Sequence, residues 1–485
     1  MPALPMHLKP ATELARLLRL RQISPVDLLE RCLDQYAKYN DTLNAVVVTD
    51  IDRAKRAAAA SARRLNRGKP AGPFDGVPMT IKESFDWAGT PTTWGAAAYR
   101  NNIAQTDALA LTRLTGAGAV IYGKTNVPYM LADWQSFNEI YGTTNNPWDV
   151  TRSPGGSSGG SAVALATGMS ALVLGSDIGA SIRNPAHYCG VYGHKPSFGI
   201  VPLRGHSLGN VAPTDISCAG PLARSARDLA GMLKLLGGTD GIEARGVQLV
   251  LPRAPQTRLK DFRVAVMLTD PVSEVDQPLL DLIAACAKFL SKTVKRISYD
   301  ARPDFSTQEA FDVYITLLRA ATSRRQTEAE FSANSARVAG FAGDDMSYLA
   351  KMLRAYVLPH RNWLMVNERR HQMRQIWDRF FDDWDVLICP AAASAAFPHD
   401  QQGERHERTI PVNGKRAPTT DQLFWAGYSC GYGLPSTVAP IGLTSQGLPG
   451  GLQIIARTYE DFTAIRFAEL LEKEYYSFVP PPMIG

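Results

Sequence analysis

Glycine and serine are concentrated in one short stretch, which carries the strongest chemical signal in the sequence. Residues 153–161 read Ser-Pro-Gly-Gly-Ser-Ser-Gly-Gly-Ser, with four glycines and four serines in nine residues. Glycine allows backbone conformations that other residues avoid, and a serine hydroxyl can act as a nucleophile when a base lies beside it. The stretch predicts a loop that presents hydroxyl groups, either for catalysis or, in the simpler interpretation, within an ordinary glycine-rich turn.

Two familiar glycine-containing motifs do not account for this stretch. A phosphate-binding loop requires G-x-x-x-x-G-K-[ST]; Gly155 and Gly160 have the right spacing, but Ser161 stands at the lysine position. Residues 156–160 match the G-x-S-x-G pattern of a nucleophile elbow, which directly follows a buried strand. Residues 147–154 are polar and contain two prolines, so neither a nucleotide site nor an elbow is predicted here.

A second serine lies in a loop that follows an apolar run. Residues 171–174 are apolar, and the next residues read Gly-Ser-Asp-Ile-Gly-Ala-Ser, ending at Ser181. Small residues before a serine allow several backbone N–H groups to point at one spot, as an oxyanion site requires. Local sequence alone favours a plainer alternative, a strand-to-helix turn in which Ser181 caps the helix.

A lysine ends another apolar run farther upstream. Residues 76–82 read Gly-Val-Pro-Met-Thr-Ile-Lys, which puts Lys82 at the end of a predicted strand. A lysine in that position usually lies at the protein surface. If it were buried instead, Lys82 could lose its proton and serve as a base.

Short apolar runs alternate with helical segments from residue 77 onward, and these elements would position the three sites. The predicted strands are 44–48, 77–81, 119–122, 171–174, 262–268, 385–389 and 452–456. The predicted helices are 51–65, 107–115, 161–168, 225–236, 277–292 and 460–475. Strands separated by helices indicate an α/β layered fold around one sheet.

Capping residues mark two of the predicted helix starts. Ser24 precedes Pro25, and apolar residues then follow at helical spacing, so a helix is predicted to begin at Pro25. Ser225 and Asp228 have the spacing of a capping box at the start of the helix 225–236.

Residues 300–421 interrupt the alternation of strands and helices. Residues 300–384 are rich in Arg, Gln and aromatic residues and are predicted to be helical, whereas residues 393–421 are predicted to form a loop. Neither segment has the composition of a flexible linker, and we find no internal repeat. We therefore expect a single domain over residues 1–485, with a helical insertion and loop at 300–421 that shapes the substrate pocket.

The composition and charge exclude several classes of protein. With 45% hydrophobic and 20% charged residues, the chain is not disordered, collagen-like or a coiled coil. The 52 basic and 46 acidic residues nearly cancel, and the basic cluster at 63–69 has no interleaved aromatic residues, so no nucleic-acid ligand is expected. The N-terminus lacks a secretion signal and no apolar run reaches the roughly 18 residues of a membrane span, which predicts a cytoplasmic protein without membrane contact.

The six cysteines predict neither disulfides nor a metal site. They lie far apart in apolar or glycine-rich stretches, with no C-x-x-C and no histidine pair at zinc spacing. We expect buried free thiols.

The lysine strand, the glycine–serine loop and the serine loop, in this order along the chain, resemble the amidase signature family of serine amide hydrolases. The resemblance covers residues 74–91, 126–238 and 434–453, with an amidase signature core at 74–238. Two later segments also fit, Gly-Pro-Leu-Ala-Arg at 220–224 and Gly-Leu-Pro-Gly-Gly-Leu-Gln at 447–453. The resemblance implies one large α/β/α layered domain with a central mixed β-sheet.

The same resemblance implies a Ser–Ser–Lys triad that needs no metal or organic cofactor. Ser181 would be the nucleophile, Ser157 a bridging serine that follows a cis peptide bond, and Lys82 the base. The separation of 24 residues between the two serines fits the family. The oxyanion hole would consist of the backbone N–H groups of four consecutive residues, Ile178, Gly179, Ala180 and Ser181.

A lysine base requires a lowered pKa. An ordinary lysine, with a pKa of about 10.4, is neutral in only ~0.04% of molecules at pH 7. Burial penalises the ammonium form and can remove much of this deficit. Neutral Lys82 could then accept the proton of Ser157, which accepts that of Ser181 as it attacks a carbonyl carbon.

The sequence departs from the family pattern at four places. Ala180 stands where the family usually has glycine, Glu83 stands where aspartate is common, and residues 129–134 replace a common Glu-Phe pair. His194 stands where leucine is common, and we expect it to be a buried, hydrogen-bonded histidine. Alanine keeps the backbone N–H, so the predicted oxyanion hole survives the substitution at 180.

Apolar residues near the predicted site favour a hydrophobic substrate. Met130, Leu131 and Trp134, together with Tyr314 and Leu318 from the helical insertion, would line the pocket if they are not simply core residues. We predict hydrolysis of small hydrophobic or aryl amides, and carbamates are an alternative because the chemistry is the same. A glutaminase subunit of a tRNA-dependent amidotransferase complex and a non-catalytic binding module are further alternatives, and homodimers are common in the family.

Overall fold

The computed structural model describes residues 4–484. Within them the strands are β1 (Val46–Thr49), β2 (Pro78–Lys82), β3 (Val120–Thr125), β4 (Phe137–Asn138), β5 (Gly142–Thr143), β6 (Leu172–Asp177), β7 (Tyr192–Lys195), β8 (Cys218–Ala223), β9 (Arg263–Val266), β10 (Arg296–Ser298), β11 (Val386–Pro390), β12 (Thr409–Val412), β13 (Lys415–Pro418), β14 (Ser436–Leu443) and β15 (Pro449–Ile455).

The helices of the same residues are α1 (Ala11–Arg19), α2 (Pro25–Leu43), α3 (Ile51–Asn66), α4 (Leu109–Gly116), α5 (Gly159–Ala166), α6 (Arg183–Cys189), α7 (Ala226–Leu236), α8 (Gln277–Ser291), α9 (Thr307–Ser323), α10 (Glu328–Ala339), α11 (Tyr348–Tyr356), α12 (His360–Asp383), α13 (Leu423–Cys430) and α14 (Asp461–Glu474). None of these helices combines the length and apolar composition that crossing a bilayer requires.

One sheet of eleven strands forms the centre of the fold. Its order is β1-β3-β2-β6-β8-β7-β14-β15-β11-β9-β10. Strand β2 pairs in parallel with β3 and β6, whereas β6–β8, β8–β7, β7–β14 and β14–β15 are antiparallel. Helices pack against this sheet, so the predicted α/β/α fold with a central mixed sheet is confirmed.

The parallel pairing of β2 and β6 brings two of the predicted site segments together. Ile81 of β2 is in register with Leu174 of β6. Because parallel strands end at the same edge of a sheet, Lys82 at the end of β2 lies beside the residues that end β6. All residues of both strands are buried, as expected for parallel strands covered on both faces.

The seven predicted strands each overlap a strand of the central sheet, but four strands of that sheet were not predicted. The missed strands are β7, β8, β10 and β14. Strand β8 contains Gly220 and Pro221, and β14 contains Pro440 with an irregular register beside it. Proline and glycine have low strand propensity, so pairing with neighbours on both sides rather than local preference keeps these segments in the sheet.

The two predicted helix caps have different outcomes. The Ser24 hydroxyl accepts the Asp27 N–H at 3.0 Å, so the cap of α2 is confirmed. The capping box at Ser225 is wrong. The Ser225 hydroxyl contacts Glu472 at 3.1 Å, and the Asp228 carboxylate accepts the N–H groups of the first turn of α1 instead.

Residues 300–421 contain both inserted and central elements. Helices α9 to α12 lie between β10 and β11, and Trp377 of α12 packs on Phe305 and on Tyr428 of α13. Strand β11 belongs to the central sheet, and the segment predicted as a loop contains the hairpin β12–β13. The six cysteines are buried free thiols, as predicted.

Candidate active site

Lys82 is completely buried at the end of β2 and contacts two serines. Its Nζ lies 2.6 Å from the hydroxyl of Ser157 and 2.9 Å from the hydroxyl of Ser176, and 3.4 Å from the Ser176 carbonyl oxygen. The predicted lysine and the glycine–serine loop therefore meet directly, although 75 residues separate them in the chain. Ser176, on the neighbouring strand β6, was not predicted as a site residue.

Burial leaves far more of Lys82 in its neutral, proton-accepting form at pH 7 than is the case for an ordinary lysine. Burial lowers the pKa of its ammonium group to about 7, and the charges of Asp177 and Glu83 oppose this shift without cancelling it. At pH 7 about half of the molecules then carry a neutral amine.

The glycine–serine loop is held by side chains from outside it. The peptide bond between Gly156 and Ser157 is cis. The Ser136 hydroxyl donates to the Gly155 carbonyl oxygen at 3.0 Å and accepts the Gly159 N–H at 3.1 Å. A β-carbon at Gly156 would overlap the backbone of Asp133, which explains why glycine stands beside Ser157.

Ser181 lies on the same cavity as Ser157. It follows the end of β6, is almost fully buried, and its carbonyl oxygen accepts the Ser158 N–H at 3.1 Å. Among the described residues, no hydrogen bond joins the hydroxyls of Ser157 and Ser181. The structure thus pairs Lys82 with Ser157 directly and brings Ser181 to the cavity that both serines line.

Asp177 shapes the loop that precedes Ser181. Its carboxylate accepts the Ala180 N–H at 2.9 Å and the Ile182 N–H at 3.1 Å, and pairs with the buried Arg183 guanidinium at 2.9 Å. Burial alone would raise the pKa of Asp177, but the Arg183 charge and the hydrogen bonds hold it at about 2.

This arrangement corrects one of the four predicted oxyanion donors. The Ala180 N–H is already bonded to Asp177, so it cannot also bind an oxyanion. Ala180 has a φ of 66°, the left-handed region that explains the family's glycine at this position. Within residues 4–484, the N–H groups of Ile178, Gly179 and Ser181 have no protein acceptor and stay available.

Two side chains fix the direction of these peptide groups. The Tyr314 hydroxyl of α9 donates to the Ile178 carbonyl oxygen at 3.1 Å, and the Trp134 indole donates to the Gly179 carbonyl oxygen at 2.8 Å. The C=O and N–H of one planar peptide unit point in opposite directions. Tyr314 therefore orients the Gly179 N–H, and Trp134 orients the Ala180 N–H toward Asp177.

One cavity contains both serines and is walled by apolar and polar side chains. Leu131, Trp134 and Leu318 line it, as predicted; Met130 and Tyr314 do not. The Met130 backbone instead donates its N–H to the Trp94 carbonyl and accepts a hydrogen bond from Arg325. The Tyr314 hydroxyl donates to the Ile178 carbonyl oxygen. The other lining residues are Trp94, Ala132, Asp133, Ser176, Ile178, Gly179, His206, Thr214, Ser217, Arg319, Thr322, Arg325, Arg405 and Leu423.

His206 lines the cavity but gave no signal in the sequence, where it is a lone histidine in an irregular segment. Its Nε2 lies 3.0 Å from the Ser84 hydroxyl, and its ring packs on Phe85 and Trp94. Burial, assisted by the charges of Lys82 and Arg325, lowers the pKa of His206 to about 3, so the ring is neutral at pH 7. His194 lies elsewhere, buried and bonded to Thr437 and Asp461, as predicted.

Comparisons with known proteins identify the family of the chain. A family model described as Amidase matches residues 27–465. Similar proteins include human fatty-acid amide hydrolase 2, 29% identical over 98% of this chain and 91% of its own length. An acylamidase of Rhodococcus erythropolis is 30% identical over 96% and 95%. A glutamyl-tRNA(Gln) amidotransferase subunit from an Anaeromyxobacter strain is 31% identical over 98% and 99%.

Solved structures show the same fold. The crystal structure of a bacterial aryl acylamidase of the amidase signature family superposes with a TM-score of 0.80 and 26% identity, covering 97% of each chain. The family match spans most of the chain, including β2, the glycine–serine loop and the Ser181 loop. This chain belongs to the amidase signature family of amide hydrolases.

Proposed function

We propose that this amidase hydrolyses small hydrophobic or aryl amides through an acyl-enzyme intermediate on Ser181. The observation that carries the proposal is the buried Lys82 amine, 2.6 Å from the Ser157 hydroxyl, beside a cavity that Ser181 also lines. A buried base, a hydroxyl that can relay its proton and a second hydroxyl facing the cavity are the parts that nucleophilic catalysis requires.

The first half of the reaction forms the acyl-enzyme. Neutral Lys82 accepts the Ser157 proton, Ser157 accepts the Ser181 proton, and Ser181 Oγ bonds to the amide carbon. The N–H groups of Ile178, Gly179 and Ser181 are free to bind the oxygen that becomes negative. When the C–N bond breaks, the proton returns through Ser157 to the leaving nitrogen, because an amide anion leaves poorly.

The second half regenerates the enzyme. Water replaces the amine, loses a proton through Ser157 to Lys82, and bonds to the acyl carbon. The bond from the acyl carbon to Ser181 Oγ then breaks, the relay returns the proton to Ser181, and the carboxylic acid leaves.

The wall of the cavity supports a hydrophobic or aryl group on the substrate. Trp94, Leu131, Trp134, Leu318 and Leu423 present apolar or aromatic side chains to it. Two relatives with this fold are named as acylamidases, one of them an aryl acylamidase. Carbamates present a similar carbonyl and leaving nitrogen, so they belong to the same set of test substrates.

Glutamine hydrolysis is the second candidate. It is favoured by one observation, the 31% identity to a glutamyl-tRNA(Gln) amidotransferase subunit over nearly the whole length of both chains. On this alternative, activity would be seen with glutamine and would depend on co-purifying subunits.

Covalent labelling tests the proposed nucleophile. Purified protein is treated with a fluorophosphonate, and the intact mass is compared among wild type, Ser181→Ala, Lys82→Ala and Ser158→Ala. We expect one adduct on wild type, none on Ser181→Ala and slow labelling of Lys82→Ala. Ser158→Ala is the matched control, since Ser158 neighbours Ser157, its hydroxyl makes only a 3.5 Å contact with the Ser176 carbonyl, and alanine keeps the backbone N–H that bonds to Ser181. Labelling that survives Ser181→Ala would overturn the assignment.

A substrate panel tests the substrate class. 4-Nitroacetanilide, ethyl N-(4-nitrophenyl)carbamate and glutamine are offered to wild type and to Ser181→Ala. We expect release of 4-nitroaniline from the anilide by wild type alone. Hydrolysis of glutamine and of neither aryl substrate would refute the proposal in favour of the glutaminase alternative.

A further inference from the structure

Arginines form one wall of the active-site cavity. Leu318, Arg319 and Thr322 lie on one face of the last turns of α9, and Arg325 follows just beyond its end; all four line the cavity. Arg405, between β11 and β12, adds a third guanidinium group. A hydrophobic amide has no negatively charged group that could pair with these guanidinium groups.

Within the described residues no carboxylate forms a salt bridge with Arg319 or Arg325, whereas the charge of Arg405 acts on the buried Asp133. Within residues 4–484, no carboxylate oxygen lies within 4 Å of the guanidinium nitrogens of Arg319, Arg325 or Arg405. The one acidic side chain that lines the cavity, Asp133, is paired with Arg408 at 2.6 Å. The cavity that contains the serines therefore carries net positive charge.

The arginines contact only neutral groups. Arg319 is buried and its Nε donates to the Tyr348 hydroxyl at 3.0 Å. Arg325 donates to the Met130 carbonyl oxygen at 3.1 Å, and its guanidinium lies 4.7 Å from the centre of the Trp94 ring. Burial lowers the pKa of Arg325 to about 10, with the Arg324 charge adding to the effect, and the group stays protonated at pH 7.

Contacts within the fold explain only part of this wall. The carbonyls at the C-terminal end of α9 favour nearby cations, and a ring face attracts a guanidinium. A cation removed from water is nevertheless costly unless it is paired with an anion. An arginine fork binds a carboxylate through two parallel hydrogen bonds, so a carboxylate on a ligand supplies the missing partner.

We propose that the preferred substrate carries a carboxylate, which Arg319 and Arg325 bind while its amide lies against Ser181. The inference rests on the proposed function, since it assigns the amide to the Ser181 site. The apolar side chains of Leu131, Trp134 and Leu318 would hold the uncharged part of such a substrate.

Two matched pairs of substrates test this inference. 4-Nitrobutyranilide and 4-nitrosuccinanilate have acyl chains of similar length that differ in a terminal methyl or carboxylate, and acetanilide and 4-acetamidobenzoate place the difference on the amine side. We expect wild type to favour the anion of at least one pair by about tenfold in kcat/KM, a typical effect of one charge-assisted hydrogen bond. A preference for the neutral member of both pairs would overturn the inference.

Arginine variants test whether the preference for the anionic substrate depends on Arg319 and Arg325. In Arg325→Gln the ratio of kcat/KM for the two members of the favoured pair should fall toward one, and Arg325→Lys should keep part of it. Arg361→Gln is the matched control, because Arg361 is an exposed residue of α12 outside the cavity. Thermal melting identifies any variant that fails to fold, and an unchanged ratio in folded Arg325→Gln and Arg319→Gln would refute the assignment.

Binding without turnover separates this inference from the proposed function. Calorimetry measures 4-nitrosuccinanilate and 4-nitrobutyranilide on Ser181→Ala, with and without Arg325→Gln. Arg325-dependent binding of the anion supports the carboxylate site even if wild type neither hydrolyses amides nor is labelled by the fluorophosphonate. Hydrolysis of the neutral anilide together with no binding of the anion would reject the carboxylate site and leave the proposed function standing.

Discussion

Lys82 depends on its surroundings for its chemistry. A surface lysine is almost fully protonated at pH 7, whereas complete burial brings the pKa of Lys82 to about 7. Asp177 would favour the charged form, but its own charge is paired with Arg183 at 2.9 Å. Glu83 uses its carboxylate to bind the N–H groups of Thr93 and Trp94. Both neighbouring carboxylates are thus engaged elsewhere, which leaves desolvation as the dominant effect.

The rate of amide hydrolysis should therefore rise with pH through about 7. In the proposed mechanism the deprotonated amine of Lys82 is the base, so kcat/KM for a neutral anilide is expected to level off above pH 8 and to fall about tenfold per unit well below pH 6. Lys82→Met should lower kcat/KM by about 10²–10⁴-fold.

His206 provides the control for this profile. Its pKa of about 3 lies below the measured range, so His206→Asn should keep the inflection near pH 7 even if the rate changes. A wild-type profile that is flat or falling between pH 6 and 8 would contradict the role given to Lys82.

Helices far along the chain hold the loop that leads to Ser181. Tyr314 of α9 bonds to the Ile178 carbonyl and thereby directs the Gly179 N–H. Helix α13 packs on the same tyrosine, because Gly427 lets the ring lie directly against the helix backbone. The oxyanion donors thus depend on the contact between α9 and α13.

Gly427→Ala should disturb this contact and slow catalysis. A β-carbon at residue 427 would overlap the Tyr314 ring, so the ring must move and its bond to Ile178 weakens. We expect kcat to fall at least about tenfold, as for the loss of an oxyanion donor, and the free energy of unfolding to fall by about 1–3 kcal/mol.

Steady-state kinetics and urea unfolding measure both effects of Gly427→Ala. Gly116→Ala in α4 is the matched control, because a β-carbon there meets nothing within 4 Å. If Gly427→Ala kept the wild-type kcat, the contact between α9 and α13 would have no part in orienting the loop.

The sequence predicted the elements that local patterns define and missed those that tertiary contacts define. Lys82, Ser157 and Ser181 lie in motifs with fixed spacing, so each was predicted, and the strand before Lys82 is apolar apart from Thr80. Strand β14, in contrast, contains a proline and is kept in place by β7 and β15. The sequence of one segment does not show whether pairing with two neighbouring strands will outweigh its low strand propensity.

The cavity wall shows the same limit. Arg319 and Arg325 line the same cavity as the serines only because α9 packs over the Ser181 loop, and nothing in their local sequence indicates a site. Likewise, the engagement of the Ala180 N–H by Asp177 depends on loop geometry, so a count of small residues overestimates the oxyanion donors.

The N-terminal and C-terminal halves of the chain share one sheet and one buried hydrogen-bond network. Strand β7 pairs with β14, which follows it by more than two hundred residues. Arg183, next to the catalytic loop, donates to Ser429 at 2.8 Å and to Gln453. Separating these segments would leave buried charges and strand edges without partners.

The chain should therefore unfold as one cooperative unit, as the single-domain prediction requires. The six buried free thiols provide probes in both halves, at Cys32, Cys189, Cys218, Cys286, Cys389 and Cys430. Their alkylation, followed by peptide mass spectrometry across a urea series, should show one midpoint at all six sites. A fragment of residues 1–250 should lack fixed tertiary structure, because Arg183 would keep its charge but lose Ser429 and Gln453. Two separate midpoints, one for the first three cysteines and one for the last three, would instead divide the chain into independent domains and place the active site at their boundary.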